Sequence, residues 1–205
     1  MEHITNQVIL RGSLMQLPEF SHENHGRRFF RFFLEVPRLS GTVDTLPVIA
    51  EERILTSFDL SGGEMLTVTG TLRSHNIHSE TRRHLLVFVF ATSIFTEDGD
   101  PINEVILEGP VCREPTYRRT PLGREICDIM LAVPRAFRRA DYLPCILWGR
   151  NAQEGAALHT RDRLRICGRL QSRIYTKVTD QGIEERTAYE ISALSAEIPD
   201  VDLPG

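Results

Sequence analysis

The chain has 205 residues and a formal net charge of −4, and its hydrophobic and charged fractions, 41% and 25%, are ordinary for a soluble globular protein. This length leaves room for two small domains of about 100 residues each. No apolar run approaches the roughly 18 residues that a membrane span needs. Residues 1–5 lack the basic and apolar regions of a signal peptide. We therefore expect a cytoplasmic protein with no membrane partner.

Charge is unevenly distributed along the chain. Residues 1–102 hold 9 basic and 13 acidic side chains, residues 103–177 hold 14 and 8, and residues 178–205 hold 1 and 7. A basic block therefore lies between two acidic segments. Such a block favours local binding of an anion despite the negative charge of the whole chain.

Two consecutive segments of the sequence repeat one pattern. The residues that recur 97 positions later are Asn6, Val8, Ile9, Leu10, Gly12, Pro18, Gly26, Arg27, Leu34, Val36, Pro37, Arg38, Asp44, Leu46, Pro47, Ile49 and Arg53. After one inserted residue, Leu66, Gly70, Leu72 and Ser74 recur 98 positions later. This repetition indicates a duplicated domain, so the positions where the copies differ are the ones to search for function. We predict a first copy over residues 1–95, a linker over 96–102, a second copy over 103–198 and a short acidic tail over 199–205.

Three strands, a short helix and two further strands are predicted for each copy. In the first copy the strands are predicted over residues 8–17, 29–36, 46–50, 65–77 and 83–94, and the helix over 51–60. In the second copy the strands are predicted over 105–113, 126–133, 143–148, 163–175 and 186–197, and the helix over 150–159. Pro37 and Pro134 end the second strand of each copy, because proline cannot donate to a central ladder. This order fits the OB-fold, so the predicted fold class is all-β, as tandem five-stranded barrels.

The fourth predicted strand differs most between the copies. Side chains alternate between the faces of a strand, so the core side in the second copy should carry Leu164, Ile166, Gly168, Leu170 and Ile174. The opposite face then carries Arg163, Arg165, Arg169 and Arg173 and ends at Tyr175, where the first copy has Met65, Thr67, Thr71, His75 and Ile77. A row of guanidinium groups repels itself unless an anion is near. The alternative is a solvated basic face that is paired with acids elsewhere in the chain.

Aromatic residues are also added in the second copy. Tyr142 and Trp148 share one face of the third strand and replace Thr45 and Glu51, and Phe137 in the preceding loop replaces Ser40. The loops that flank the second strand add Arg118, Arg119, Arg138 and Arg139, in place of Ser21, His22, Gly41 and Thr42. Aromatic rings stack on bases and arginines follow phosphates, so the pattern favours binding of single-stranded nucleic acid.

These segments resemble the bacterial single-stranded DNA-binding protein family. Residues 141–150 resemble its third strand, which has two aromatics six residues apart and ends aromatic-Gly-basic, and residues 168–175 resemble its Gly-x-Leu-x-x-Arg-x-aromatic fourth strand. Residues 103–109 and 131–137 match its first strand and the exit of its second. The resemblance implies that Phe137, Tyr142, Trp148 and Tyr175 stack on bases of single-stranded DNA, without sequence preference, in DNA replication, repair and recombination.

The first copy keeps the scaffold pattern without the aromatics, so we expect it to serve as a scaffold or oligomerisation domain. The resemblance implies a homodimer that brings four barrels together. The family usually ends in a long flexible tail whose acidic tip, closed by Phe, recruits replication and repair proteins. Residues 200–205 read Asp-Val-Asp-Leu-Pro-Gly, which is short and lacks Phe. The resemblance thus still implies replication and repair proteins as partners, but the usual acidic tip closed by Phe is missing from residues 200–205.

Other classes of function have weaker support. No phosphate-binding loop, paired catalytic carboxylates or nucleophile elbow is present, so we expect neither enzymatic activity nor a cofactor. Two histidine pairs, His22-x-x-His25 and His75-x-x-His78, offer only a weak alternative as a metal site. The cysteines lack Cys-x-x-Cys spacing and are expected to be reduced packing residues; they are Cys112, Cys127, Cys145 and Cys167.

Two alternatives stay open. In the first, the acidic first copy, with its run Phe29-Phe30-x-Phe32-Phe33, makes the protein a docking module of replication restart or recombination, and nucleic acid is secondary. In the second, the polymer is RNA, because OB barrels accept either nucleic acid and no residue recognisably reads a 2′-hydroxyl group.

Overall fold

The structure is a computed structural model that describes residues 4–56, 60, 62–79, 82–179 and 182–199. Its contacts divide the chain into two compact units. The N-terminal unit comprises Gln7–Glu104 together with Leu170–Glu190, and the C-terminal unit comprises Val105–Arg169 with the described residues before Gln7 and after Glu190. Leu170–Glu190 belongs to the second copy by sequence, so the contact units differ from the duplicated segments. Residues 200–205 of the predicted tail lie outside the described residues.

Within the described residues, each copy forms six strands and one short helix. The elements of the first copy are β1 (Asn6–Leu14), β2 (Glu19–Asn24), β3 (Arg27–Pro37), β4 (Val43–Glu51), α1 (Glu52–Leu55), β5 (Met65–Ser79) and β6 (Arg82–Thr96). The elements of the second copy are β7 (Ile102–Pro110), β8 (Thr116–Arg119), β9 (Glu125–Arg135), β10 (Arg139–Trp148), α2 (Gly149–Gly155), β11 (Arg163–Thr179) and β12 (Gly182–Glu197).

The first-copy strands of the N-terminal unit follow the order β2-β3-β4-β6-β5-β1. β1 pairs with β3 as well, at Ser13–Glu35 and Leu14–Leu34, which closes the sheet into a barrel. The apolar positions predicted by alternation point inward and are buried, among them Val8, Leu10, Phe32, Leu34, Leu46 and Val68. Burial of these side chains is the main favourable contribution to the stability of the barrel.

The C-terminal unit repeats this arrangement in the order β7-β11-β12-β10-β9-β8. A bridge between Val111 and Leu131 brings the chain after β7 against β9 and closes the barrel. Helix α2 lies between β10 and β11 in sequence, where the OB-fold has its helix, and Gly155 lets it pack closely. A Cβ atom at Gly155 would lie 2.4 Å from Cδ1 of Leu147. The predicted all-β fold with one short helix per copy is confirmed.

Each copy contains one short strand beyond the five predicted. Every side chain of β2 and β8 is exposed, so neither strand shows the apolar alternation that marks a half-buried strand. Arg118 and Arg119 therefore lie on β8 rather than in a loop, contrary to the prediction. Arg139 begins β10, and only Arg138 lies in the connection.

Three further predictions are corrected by the structure. Ile174 is 64% exposed and not a core residue, because the β7–β11 pairing ends at Gly168–Val105 and the rest of β11 extends past that barrel. Helix α2 ends at Gly155 rather than at His159, consistent with the weak helix propensity of glycine. Cys112 is exposed, whereas Cys127 and Cys145 are buried, and burial raises the pKa of both buried thiols.

We predict that Gly168→Ala lowers the free energy of unfolding by about 3 kcal/mol, the upper end for overpacking. A Cβ atom there would lie 2.4 Å from the backbone oxygen of Ser192, which cannot swing away as a flexible side chain would. Denaturant unfolding measures the loss. Gly123→Ala is the control, since a Cβ atom at Gly123 meets nothing within 4 Å and only its φ of +77° is unfavourable. Equal stability of the two variants would contradict the packing explanation.

Candidate nucleic-acid interface

The outer face of β10 carries the two aromatic residues that alternation predicts there. Tyr142 and Trp148 are 42% and 37% exposed, whereas Leu143, Cys145 and Leu147 on the opposite face are buried in the barrel. Six residues of extended strand separate the two aromatic positions by about 20 Å. One rigid strand therefore presents two rings to solvent.

A hydrogen bond from the indole N–H group orients the ring of Trp148. Its Nε1 donates a hydrogen bond to Oγ of Ser192 on β12, at 3.0 Å. Ser192 is only 7% exposed, so its hydroxyl group is fixed in the wall of the barrel. A buried acceptor that satisfies the indole N–H orients the ring and leaves part of its surface accessible for stacking.

A cross-strand row places an arginine on the same face as this indole. Arg118 pairs with Ile126, and Ile126 pairs with Trp148. Directly opposed residues of paired strands lie on one side of the sheet, and two strand spacings put the Cα atoms of Arg118 and Trp148 about 10 Å apart. The Arg118 guanidinium is oriented by the carboxylate of Asp128, at 2.7 and 3.3 Å.

The connection between β9 and β10 has a strained backbone. Phe137 and Arg138 both have positive φ, 62° and 55°, a conformation that costs a non-glycine residue about 1–2 kcal/mol. The first copy has Gly41, with φ of 84°, at the position equivalent to Arg138. Phe137 is also 94% exposed, so its ring adds little packing energy to the fold. Strain without a packing gain points to a functional role for this turn.

Arg163 and Arg165 compensate a buried carboxylate. Glu108 is 1% exposed, and its two oxygens bind Nη2 of Arg163 at 2.6 Å and Nη1 of Arg165 at 3.1 Å. Arg165 also lies 3.5 Å from a carboxylate oxygen of Glu197. Because a buried carboxylate is costly unless it is paired, these two arginines act as internal counterions of the C-terminal unit.

Two more arginines of the predicted set form exposed ion pairs. Arg119 lies 2.9 Å from Glu125, and Arg173 lies 3.4 Å from Glu190. The guanidinium of Arg173 is also 5.7 Å from the ring centroid of Tyr175, within the N-terminal unit. Exposed pairs contribute little stability, and each leaves further N–H groups for another acceptor. The alternative of a basic face paired with acids of the same chain thus describes part of the arginine set.

Three arginines of the set differ from these. In the part of the chain that the structure describes, no carboxylate pairs with Arg138, Arg139 or Arg169. The Nε atom of Arg169 is buried without a hydrogen-bond partner. Its neighbour Gly168 packs against the backbone of Ser192, so Arg169 lies beside the residue that orients Trp148. A buried donor without an acceptor requires an explanation, and an anionic ligand is one.

Aromatic side chains fill the equivalent face of the first copy. His22 lies opposite Phe29 as Arg118 lies opposite Ile126, and Phe90 occupies the position of Ser192. His22 stacks on Phe29 with ring centroids 4.9 Å apart, and Phe29 contacts Phe90 at 5.9 Å. The guanidinium of Arg73 lies 3.3 Å from the Phe90 centroid. The stacking and cation–π contacts that a nucleic acid would offer are therefore already made within the first copy.

The phenylalanine run of the first copy is similarly occupied. Phe29 and Phe32 are buried, and Phe30 packs edge-to-face on Phe20 with ring centroids 5.9 Å apart. The guanidinium of Arg28 lies 5.4 Å from both the Phe20 and the Phe30 centroid. Intramolecular contacts thus account for much of this run, although Phe20 remains 55% exposed.

The two histidine pairs can be compared with the described part of the chain only in part. No group of three or more His, Cys, Asp and Glu side chains is arranged there to hold a metal ion. His22 stacks on Phe29 instead, and the side chain of His78 lies outside the described residues. Among the helices that the structure describes, none has the length and apolar character to cross a membrane.

Comparison with known proteins agrees with this geometry. Residues 102–199 match the single-strand binding protein family. The wild-type single-stranded DNA binding protein from Thermus aquaticus superimposes with a TM-score of 0.80 and 25% sequence identity, over 98% of this chain and 95% of that chain. The family match therefore covers the second copy of the chain. The resemblance inferred from the second copy is thereby confirmed.

Curated proteins align with part of the chain. The single-stranded DNA-binding protein of Bacillus cereus is 37% identical over 81 residues, which cover 36% of this chain and 48% of the relative. Single-stranded DNA-binding protein A of Bacillus subtilis is 34% identical over 89 residues, which cover 40% of this chain and 52% of the relative. The chain thus spans about half the length of the relatives it matches.

Sequence reasoning missed two residues that shape this face of the second copy. Ser192 orients Trp148, and Glu108 binds Arg163 and Arg165. A comparison of the copies contains the signal for both. Trp148 and Ser192 together replace Glu51 and Phe90, and Glu108 occupies the position of Arg11, whose guanidinium binds Glu97 at 2.7 Å. Partners that change together between copies indicate a contact.

We predict that Arg138→Gly raises the free energy of unfolding by about 0.5–1 kcal/mol, because glycine adopts positive φ without the Cβ penalty. Denaturant unfolding of the full chain measures the change. Gly41→Arg is the reciprocal control and should destabilise the protein by a similar amount. A loss of stability in Arg138→Gly would show that the turn is not strained.

Proposed function

We propose that this protein binds single-stranded DNA without sequence preference, through the outer face of the second copy. The observation that carries the proposal is the pair of exposed rings on β10, Tyr142 and Trp148, with a third ring, Phe137, on the turn that leads into that strand. An isolated exposed aromatic residue is common, whereas three along one strand and its turn form a platform. The names of the matched relatives support the same polymer.

The chemistry of the platform suits an unpaired strand. A base–aromatic stack contributes about 1–3 kcal/mol and tolerates any base, since every base has a flat face. We propose Phe137, Tyr142, Trp148 and Tyr175 as the stacking residues. The platform should therefore bind single strands in preference to duplexes, whose bases already stack on each other.

The arginines divide into two groups under this proposal. Arg138, Arg139 and Arg169 have no carboxylate partner among the described residues and are proposed to bind phosphates directly. Arg119 and Arg173 can add phosphate contacts through N–H groups that their exposed ion pairs do not use, and Arg118 is proposed as a further phosphate contact beside Trp148. Arg163 and Arg165 mainly balance the buried charge of Glu108, so we assign them a structural role.

The first copy is proposed to serve as a scaffold. Its equivalent face is occupied by the His22–Phe29–Phe90 stack, and residues 1–102 carry more acidic than basic side chains. Both features disfavour binding of a polyanion there. Pairing of two chains into four barrels, a role in replication, repair and recombination, and a cytoplasmic location stay predictions.

Tryptophan fluorescence tests the proposal directly, because Trp148 is the one tryptophan of the chain. Titration of the full chain with oligo-dT should quench this fluorescence, and added salt should weaken the binding. Oligo-rU of the same length tests the RNA alternative. Absence of both binding and quenching at low salt would remove the nucleic-acid proposal and leave the docking module.

We predict that Trp148→Ala weakens binding of a labelled oligo-dT by about 1–3 kcal/mol, through loss of one stacked base. Fluorescence anisotropy of the label measures affinity, and thermal unfolding shows that the fold is kept. Phe20→Ala is the matched control, since Phe20 is an exposed aromatic residue of the first copy. Equal affinities of wild type and Trp148→Ala would remove Trp148 from the interface.

We predict that Arg169→Gln makes the negative slope of log K against log salt concentration less steep by about 0.7. This is the value for one phosphate contact on a single strand. Arg163→Gln is the matched control. It should leave the slope unchanged but lower the free energy of unfolding, because Glu108 loses a partner. A reversed pattern, with the slope altered only in Arg163→Gln, would overturn the division of the arginines.

A further inference from the structure

β11 loses its β7 partner beyond Gly168, whereas β12 is its other neighbour in the sheet. The pairing of β11 with β7 runs from Arg163 to Gly168. The side chain of Asn103 then replaces a strand partner at Leu170. Its Nδ2 donates to the Leu170 oxygen at 2.7 Å, and its Oδ1 accepts the Leu170 N–H at 2.9 Å. Both backbone groups of Leu170 are satisfied by one amide.

First-copy side chains bind Ser172, two residues further along. Asp44 Oδ1 accepts hydrogen bonds from the backbone N–H of Ser172 at 2.7 Å and from its Oγ at 3.0 Å. Arg38 donates from Nη2 to the Ser172 backbone oxygen at 2.9 Å. Both backbone groups of Ser172 are thus held, and we call Arg38, Asp44 and Ser172 the clamp.

The clamp is held rigid from within. Arg38 also binds Asp44 through two parallel hydrogen bonds, at 2.7 and 2.6 Å. Asp44 is 1% exposed, and its hydrogen bond raises the pKa of Arg38, so the guanidinium stays charged. Bidentate pairs of this kind fix geometry as well as charge. The Arg38 guanidinium and the Asp44 carboxylate therefore hold each other in one orientation, and both bind Ser172 of β11.

The clamp lies next to two proposed DNA contacts on β11. Arg173 follows Ser172 directly, and Tyr175 lies three residues beyond it. Both are proposed contacts of the bound strand, and the side chains of Arg173 and Tyr175 contact each other. Ile174 between them is 64% exposed, so burial does little to fix this part of β11. On the edge of β11 that β7 no longer covers, the clamp holds the residue that precedes Arg173.

We propose that Asp44 and Arg38 are positioning residues for DNA binding, which hold the Arg173–Tyr175 segment of the second copy in its binding conformation. This inference rests on the proposed function. It gives the first copy a part in binding even though its own face is filled, because a first-copy carboxylate sets the conformation of a second-copy contact segment.

Removal of the Asp44 charge distinguishes the positioning role from a purely electrostatic effect on DNA binding. Asp44→Ala removes a negative charge, so Coulomb attraction alone predicts tighter binding of a polyanion. The clamp predicts the opposite, a loss of affinity of about 3- to 10-fold, the equivalent of one or two hydrogen bonds. Asp98→Ala is the matched control, because it removes the same charge from an exposed position outside the clamp.

The experiment measures oligo-dT affinity of the full-length variants by anisotropy, together with hydrogen exchange of the free proteins. Asp44→Ala should weaken binding and speed exchange at residues 172–175, and Asp98→Ala should do neither. Ser172→Ala, which removes one hydrogen bond and no charge, should lower affinity by a smaller factor and serves if Asp44→Ala does not fold.

A double-mutant cycle distinguishes positioning from general destabilisation. If Asp44 acts through the segment, its effect should shrink when Arg173→Gln is already present, and should add to that of Trp148→Ala. Equal or tighter binding by Asp44→Ala, or additivity with Arg173→Gln, would overturn the clamp while leaving the proposed function intact. Failure of the wild-type chain to bind oligo-dT would overturn both.

Discussion

Pairing of buried carboxylates with arginines determines where positive charge is available in this protein. Asp44, Glu108 and Asp141 are each 1% exposed. Arg38 binds Asp44, Arg135 lies 3.5 Å from Asp141, and Arg163 and Arg165 share Glu108. Because a buried carboxylate requires a partner, these arginines belong to the fold. The basic excess of residues 103–177 therefore overstates the charge that an external polyanion would meet.

The duplication separates a shared scaffold from a changed surface. Closure of each barrel and its apolar interior are common to both copies. The outer faces differ by linked substitutions, in which Trp148 and Ser192 stand where the first copy has Glu51 and Phe90. In the first copy, a phenylalanine fills the space and an arginine covers it. In the second, the small Ser192 leaves room for the indole of Trp148 and accepts a hydrogen bond from its N–H group. Replacement of a large aromatic side chain by a small hydroxyl therefore accompanies the change from a filled face to one with an exposed ring.

Local sequence predicts the parts of this structure that depend on alternation. The barrel strands and the outward positions of Tyr142 and Trp148 follow from period-two patterns that the core enforces. β2 and β8 escape prediction because all of their side chains are exposed. The partners of the arginines escape it because they are distant in sequence, as Glu108 is from Arg163. Ile174 shows the limit of alternation. The pattern correctly predicts which face of the strand a residue is on, but it does not predict where along the strand the barrel ends.

The assignment of Leu170–Glu190 to the N-terminal unit has a consequence for how this gene can evolve. A tandem repeat usually remains modular, and either repeat can be lost, exchanged or recombined as a cassette. Here a segment encoded by the second repeat has its backbone partners in the first, at Asp44 and Arg38. A crossover in the linker would separate those partners and leave backbone groups of β11 unsatisfied. The two repeats are therefore expected to be inherited together and to diverge as a matched pair.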